Sequence, residues 1–474
     1  MRARWQPVYG SDSDRRGRKE IDMKRFPNRL TFAWLRDSYA AGELTPCELA
    51  EEIARRAEQY ASYHIWIDKP SREKMKAYTD RLPKERNSLP LWGIPFAVKD
   101  NIDLAGVPTT AACPEYAYIP KENAAVVQKL IDAGAFPVGK TNLDQFATGL
   151  VGTRSPYGEV KNALNPKLIS GGSSSGSAVA AALGMAAFSL GTDTAGSGRV
   201  PAALNGLVGY KPPLGAWSVR GVVPACASLD CVTVFANNLE DAAEINRLAR
   251  GYDEDCCWSR EYPEPKAKLP QRICIPKDEP TFFGDYARIY REKWEEGTAR
   301  LKGLGPEIQY MDYGIFAEAA KLLYEGPWVA ERWCDLGIFA EQHPGVMLPV
   351  TEEILRNGDR VEYTAAKTFG AIHRLQELRR EAKKVLKDAV LALPTAGGTF
   401  TRRQVRDNPV MTNSQMGLYT NHCNLLELCG AAIPQKKNDE ELPFGITFFG
   451  TADAESLVLG LADAFLKAEP GSQL

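Results

Sequence analysis

Histidine is scarce in this chain: His64, His343, His373 and His422 are the four among 474 residues, and none stands at a metal-ligand spacing such as HExxH. That sets metal catalysis aside and leaves no histidine in a setting that marks the base of a Ser-His-Asp triad. Ten cysteines are scattered without a CxxC pair, which argues for reduced thiols and against a disulfide or zinc framework. No apolar run reaches the roughly 18 residues that span a bilayer. Residues 1–22 are charged and lack the apolar segment of a signal peptide, so a cytoplasmic protein with a mobile tail before Met23 is expected. Neither charge dominates, with 58 basic and 60 acidic residues at net −2, so no global field favours nucleic acid or membrane. The expected partner is a small molecule.

What the chain does carry is alternation of helical and strand-like segments. Thr45 and Glu48 stand in capping-box spacing ahead of a helix. "LWGIPFAVKDNID" reads as a buried strand ending at Lys99-Asp100, and "NAAVVQKLIDAGAFPVGKTN" as helix, Gly134 cap and strand. An Ala-rich helix from Ser177 then leads into the strand "AAFSLGTD" and a Gly-rich turn. Such alternation implies an α/β architecture. From about 280 to 390 the sequence becomes long, charged and amphipathic, which predicts a helical subdomain laid over the α/β core.

Two local motifs compete for the chemistry. Gly134 to Thr141 fits GxxxxGK[ST], but it follows a helix and runs into a strand, the reverse of a phosphate-binding loop, and Pro137 cannot donate an N–H. A Gly-capped helix entering a core strand is the better reading. Ala195-Gly-Ser-Gly198 lies between a strand and a helix, where a serine can sit beside free backbone N–H groups, yet no histidine offers itself as base. "GGSSSGS", from Gly171 to Ser177, has the composition of a flexible linker but is flanked by apolar sequence.

The stretch from Gly171 to Pro212, with "GGSSSGS" and "GTDTAGSGRVPAALNGLVGYKP", resembles the signature of the amidase signature family. The resemblance implies a large mixed, twisted β-sheet covered on both faces by helices, and amide hydrolysis by a Ser-cisSer-Lys triad without cofactor or metal. By position it makes Ser197 the nucleophile, Ser173 the bridging serine entered by a cis peptide, and Lys99 the base. It also makes the N–H groups of Thr194, Ala195, Gly196 and Ser197 the candidates for an oxyanion hole, with Asp193 supporting the turn. A lysine with a free-solution pKa near ~10.4 is a poor base at neutral pH, so the role requires burial to depress it.

"LLYEGPWVAERW" and the distal "LPTAGGTFTRRQVRDNPVMTNSQMGLYTNHCNLLELCGAAIP" resemble the amidase domain of allophanate hydrolases. There the matching tyrosine and arginine hold the substrate's carboxylate, which implies Tyr324 and Arg332 here. A guanidinium suits a small anionic amide because it grips a carboxylate bidentately and stays charged; the bland reading of Arg332 is a surface salt bridge. The resemblance implies one amidase domain over residues 23–465, a homodimer, and use of urea or s-triazine nitrogen. A tail is expected over 466–474, without the second domain of longer relatives. Other small-amide amidases, the transamidating subunit that works on charged tRNA, and a non-enzymatic scaffold stay open as alternatives.

Overall fold

The computed structural model describes residues 26–86, 88–324, 326–435 and 442–468; the expected N-terminal tail lies outside them, whereas the expected C-terminal tail starts within the helix Glu455–Lys467 and only its end lies outside. Eleven strands form one sheet: β1 (Trp66–Asp68), β2 (Pro95–Lys99), β3 (Phe136–Thr141), β4 (Phe188–Thr192), β5 (Val208–Lys211), β6 (Val232–Ala236), β7 (Arg272–Pro276), β8 (Glu307–Met311), β9 (Ala389–Pro394), β10 (Leu428–Pro434) and β11 (Gly445–Thr451). Their spatial order is β1-β3-β2-β4-β6-β5-β10-β11-β9-β7-β8. The sheet is mixed. β2 runs parallel to β3 and β4, whereas β4 pairs antiparallel with β6 and β10 with β5 and β11.

Every residue of β2, β3, β4, β5, β6, β9, β10 and β11 is buried. Successive side chains in a strand point to opposite faces, so burial along a whole strand means that both faces are covered. The helix Ser175–Ala182 packs on β2, β3, β4 and β6, and the helix Glu455–Lys467 on β9, β10 and β11. The capping box at Thr45 and Glu48 opens the helix Pro46–Gln59.

The described residues of the expected helical subdomain, 280–390, supply five α-helices and also β8, which closes the far edge of the sheet against β7. The segment packs into the core: Tyr290 and Trp294 of the helix Ala287–Lys302 enter the main core, and Leu375 and Leu378 share a cluster with Leu391 of β9 and Phe449 of β11. No helix among the described residues is long and apolar enough to cross a membrane.

Candidate active site

Three parallel neighbours, β3, β2 and β4, end at the same rim of the sheet, where Thr141, Lys99 and Thr192 come together. Strand carboxyl ends in an α/β sheet are where the chain must turn, and so where functional groups can be presented. Lys99 is fully buried, and its Nζ donates to Ser173 Oγ at 2.8 Å and to Thr192 Oγ1 at 2.7 Å. Burial disfavours the ammonium and brings its pKa down to about 7, with Asp144, Asp230 and Asp193 pulling weakly the other way. Near neutral pH the free amine is therefore substantially populated.

The Gly/Ser stretch is tied into the fold by hydrogen bonds and close packing. The Gly172–Ser173 peptide is cis. Ser174 Oγ bridges the carbonyl and N–H of Thr192 at 3.0 and 3.2 Å, and Ser177 Oγ donates to Leu190 at 2.8 Å as the helix Ser175–Ala182 begins. Gly172 has no room for a side chain, because a Cβ there would lie 2.0 Å from Asp144 Oδ2. Asp144 anchors this corner: its N–H donates to the Ser173 carbonyl at 3.0 Å, and its buried carboxylate accepts N–H groups from Val151, Gly152 and Arg154.

Beyond β4 the chain turns around Asp193. Its carboxylate and Arg199 form a pair with no exposure, Nε to Oδ2 at 2.8 Å and Nη2 to Oδ1 at 2.9 Å, and it also accepts Gly196 N–H at 2.7 Å and Gly198 N–H at 3.0 Å. This corrects the oxyanion expectation. Gly196 already has an acceptor, so the N–H groups of Thr194, Ala195 and Ser197 remain, none of which bonds to a described residue. Ser197 is 4% exposed, and its Oγ makes no hydrogen bond to any described residue. The structure thus joins Lys99 to Ser173 directly but shows no bond from Ser173 to Ser197; such contacts commonly tighten only when substrate is bound.

Tyr324 ends the helix Gly314–Tyr324 and Arg332 lies in the helix Trp328–Gln342, the break between them holding Pro327. Arg332 is no surface residue: it is 1% exposed, its guanidinium sits 5.6 Å from the centre of the Tyr324 ring, and one Nη donates to Thr148 Oγ1 at 3.1 Å. Its Nε is buried without a hydrogen-bond partner, and it forms no ion pair among the described residues. Tyr324 and Arg154 line a cavity of about 170 Å³. The charge of Arg332 reaches Asp230, a buried carboxyl raised to about 6 mainly by desolvation, and Asp230 in turn accepts the Thr194 hydroxyl of the nucleophile turn.

Thr192, Asp144, Asp230, Arg199 and Thr148 went unread in the sequence. Arg199 alone carried a local signal, standing two residues after Ser197 and six after its partner Asp193. The phosphate-loop lookalike resolves as a Gly134-capped helix entering β3, with Lys140 buried against Asp100 at 3.2 Å and Thr109 at 3.0 Å. Of the four histidines only His422 is buried, and burial lowers it to about 3, so it stays neutral in the core.

Fold and site together define an α/β protein in which a fully buried lysine is bonded to a serine at the rim of the sheet. The chain belongs to the amidase family, whose model, described as Amidase, matches residues 48–459. It is 42% identical to the urea amidolyase of Saccharomyces cerevisiae over 416 residues, 85% of this chain and 22% of that protein. It is 31% identical over 443 residues to a glutamyl-tRNA(Gln) amidotransferase polypeptide of Acidobacterium capsulatum, covering 85% of this chain and 90% of the relative. Among solved structures, Kluyveromyces lactis allophanate hydrolase superposes with a TM-score of 0.86 at 40% identity, over 94% of this chain and 73% of that one. The chain thus spans about a fifth of the length of the urea amidolyases it matches.

Proposed function

We propose that this chain hydrolyses the terminal amide of allophanate, releasing ammonia and N-carboxycarbamate through an acyl-enzyme on Ser197. The neutral Lys99 amine takes the Ser173 proton as Ser173 takes that of Ser197, whose Oγ attacks the amide carbonyl. The developing oxyanion meets the N–H groups of Thr194, Ala195 and Ser197, an arrangement worth on the order of 3 kcal/mol per donor in comparable sites. The proton returns through Ser173 to the departing nitrogen, and water then cleaves the acyl-enzyme. N-carboxycarbamate decomposes to carbon dioxide and further ammonia.

One observation carries the choice of substrate: Arg332 is buried over Tyr324 and has no carboxylate partner among the described residues, a place that the carboxylate of allophanate would fill. The likeness to an allophanate hydrolase over 94% of the chain supports the same reading, and ten free cysteines suit a cytoplasmic setting. The glutamyl-tRNA(Gln) amidotransferase relative is matched over nearly its full length, which makes a transamidating subunit the second reading. Ammonia release from purified protein given allophanate, malonamate, biuret and simple acylamides decides. Turnover of neutral amides with none of allophanate overturns the proposal.

A further inference from the structure

The loop from Ala225 to Asp230 touches both halves of the site. On one side it is bolted to the nucleophile turn. Asp230 accepts the Thr194 hydroxyl, while its other oxygen accepts the N–H groups of Ala225 at 2.7 Å and Cys226 at 3.1 Å. Asn424 reinforces the joint, since its amide nitrogen donates to the Asp193 carbonyl at 2.6 Å and the Leu229 carbonyl at 2.7 Å. The Asp193 N–H in turn donates to Cys231. On the other side the loop is gripped by Glu331, the residue just before Arg332. One oxygen of Glu331 accepts Ser228 N–H at 2.7 Å, and the other accepts the Ser228 hydroxyl at 2.7 Å and the Cys226 thiol at 3.1 Å.

A carboxylate holding three donors from one short loop has little freedom, because each charge-assisted bond restricts the same group. Consecutive helix residues share a rigid backbone, so fixing Glu331 against the loop also fixes where the Arg332 guanidinium stands. We propose that Glu331 is a positioning residue whose grip on the Cys226–Ser228 loop sets the distance from Arg332 to the Ser197 turn, and with it the length of carboxylate-bearing amide the enzyme accepts. This rests on the allophanate reading and adds a ruler to it. A mismatch of about 1 Å between a binding group and a reacting group is enough to cost on the order of 100-fold, so a short strut of this kind can separate acids that differ by one methylene.

The test compares the full chain with its Glu331→Gln and Ser228→Ala variants on allophanate, malonamate, the one-methylene-longer succinamate, and neutral propionamide. For Glu331→Gln the expected result is about a tenfold rise in the KM for allophanate with kcat within about twofold. The preference for malonamate over succinamate should fall at least about threefold, and the variant should add nothing further in an Arg332→Met background. Ser228→Ala, which removes one of the three bonds, should move the same quantities in the same direction by less. Equal loss on allophanate and propionamide, or additivity with Arg332→Met, overturns the proposal. If Glu331→Gln does not fold, Ser228→Ala decides, and an unchanged KM and length preference overturn it. A wild-type protein active on propionamide but on neither acid would instead sink the allophanate reading, and this inference with it.

Discussion

Around Lys99 and Ser173 the side chains are fully buried, and Thr192, Asp144 and Ser174 each have hydrogen bonds to strand ends or to the Gly/Ser stretch. Around Tyr324 and Arg332 the helices are half-buried and a guanidinium nitrogen has no partner. The first region is the product of the sheet, since parallel strands place their ends in register whatever the loops do. The second comes from helices added to one side, and its unmet polar group is an invitation to a ligand. Under the proposed function, chemistry and selectivity are held by different architecture, and they should fail differently.

The largest expected effect falls on the sheet-built side. Ser197→Ala and Lys99→Ala should each lower kcat by on the order of 10⁴-fold while leaving the circular dichroism spectrum unchanged; full activity in Lys99→Ala would break the mechanism. Next comes the buried pair beneath the turn. Arg199→Leu strands the Asp193 carboxylate in the core and should cost about 3–5 kcal/mol of stability in denaturant unfolding, because a buried charge without its partner is expensive. On the helical side, Arg332→Met should raise the KM for allophanate about 10- to 100-fold with a much smaller change in kcat, and Arg332→Lys should rescue little of it, since an ammonium cannot make the bidentate grip. The gentlest effect is on pH. Lys99 must be neutral to accept a proton, so kcat/KM should rise about tenfold per unit below a pKa of about 7 and level off above it. A flat profile from about pH 6 to 8 would show that this amine is not the titrating base.

Lys99, Ser173 and Ser197 were named through the resemblance of "GGSSSGS" and "GTDTAGSGR" to the amidase signature, and the fold brings Lys99 and Ser173 into contact. Asp144 and Asp230 were not legible: each matters through contacts that only the folded sheet creates, such as the bond from Asp144 to Ser173, and neither has a telling neighbour in sequence. The donor at Gly196 was misassigned because a sequence shows which N–H groups a turn contains, not which side chain curls back to claim one. β8 escaped notice among charged helices because it is a five-residue edge strand, with Glu307 and Tyr310 exposed. The bland alternative for Arg332, a surface salt bridge, is set aside by its burial and its packing against Tyr324 and Thr148.

The meeting of β2, β3 and β4 at one rim has a temporal side. Lys99 touches Ser173 across 74 positions of chain and Thr192 across 93. Contacts of that span form only after large loops have closed, which makes them late events in folding. A piece of the chain that ends before Thr192 therefore lacks one of the two partners that hold Lys99. Recovery of amide-cleaving activity during refolding is a report that the whole three-strand rim has assembled, and it should trail the recovery of helical signal rather than keep pace with it.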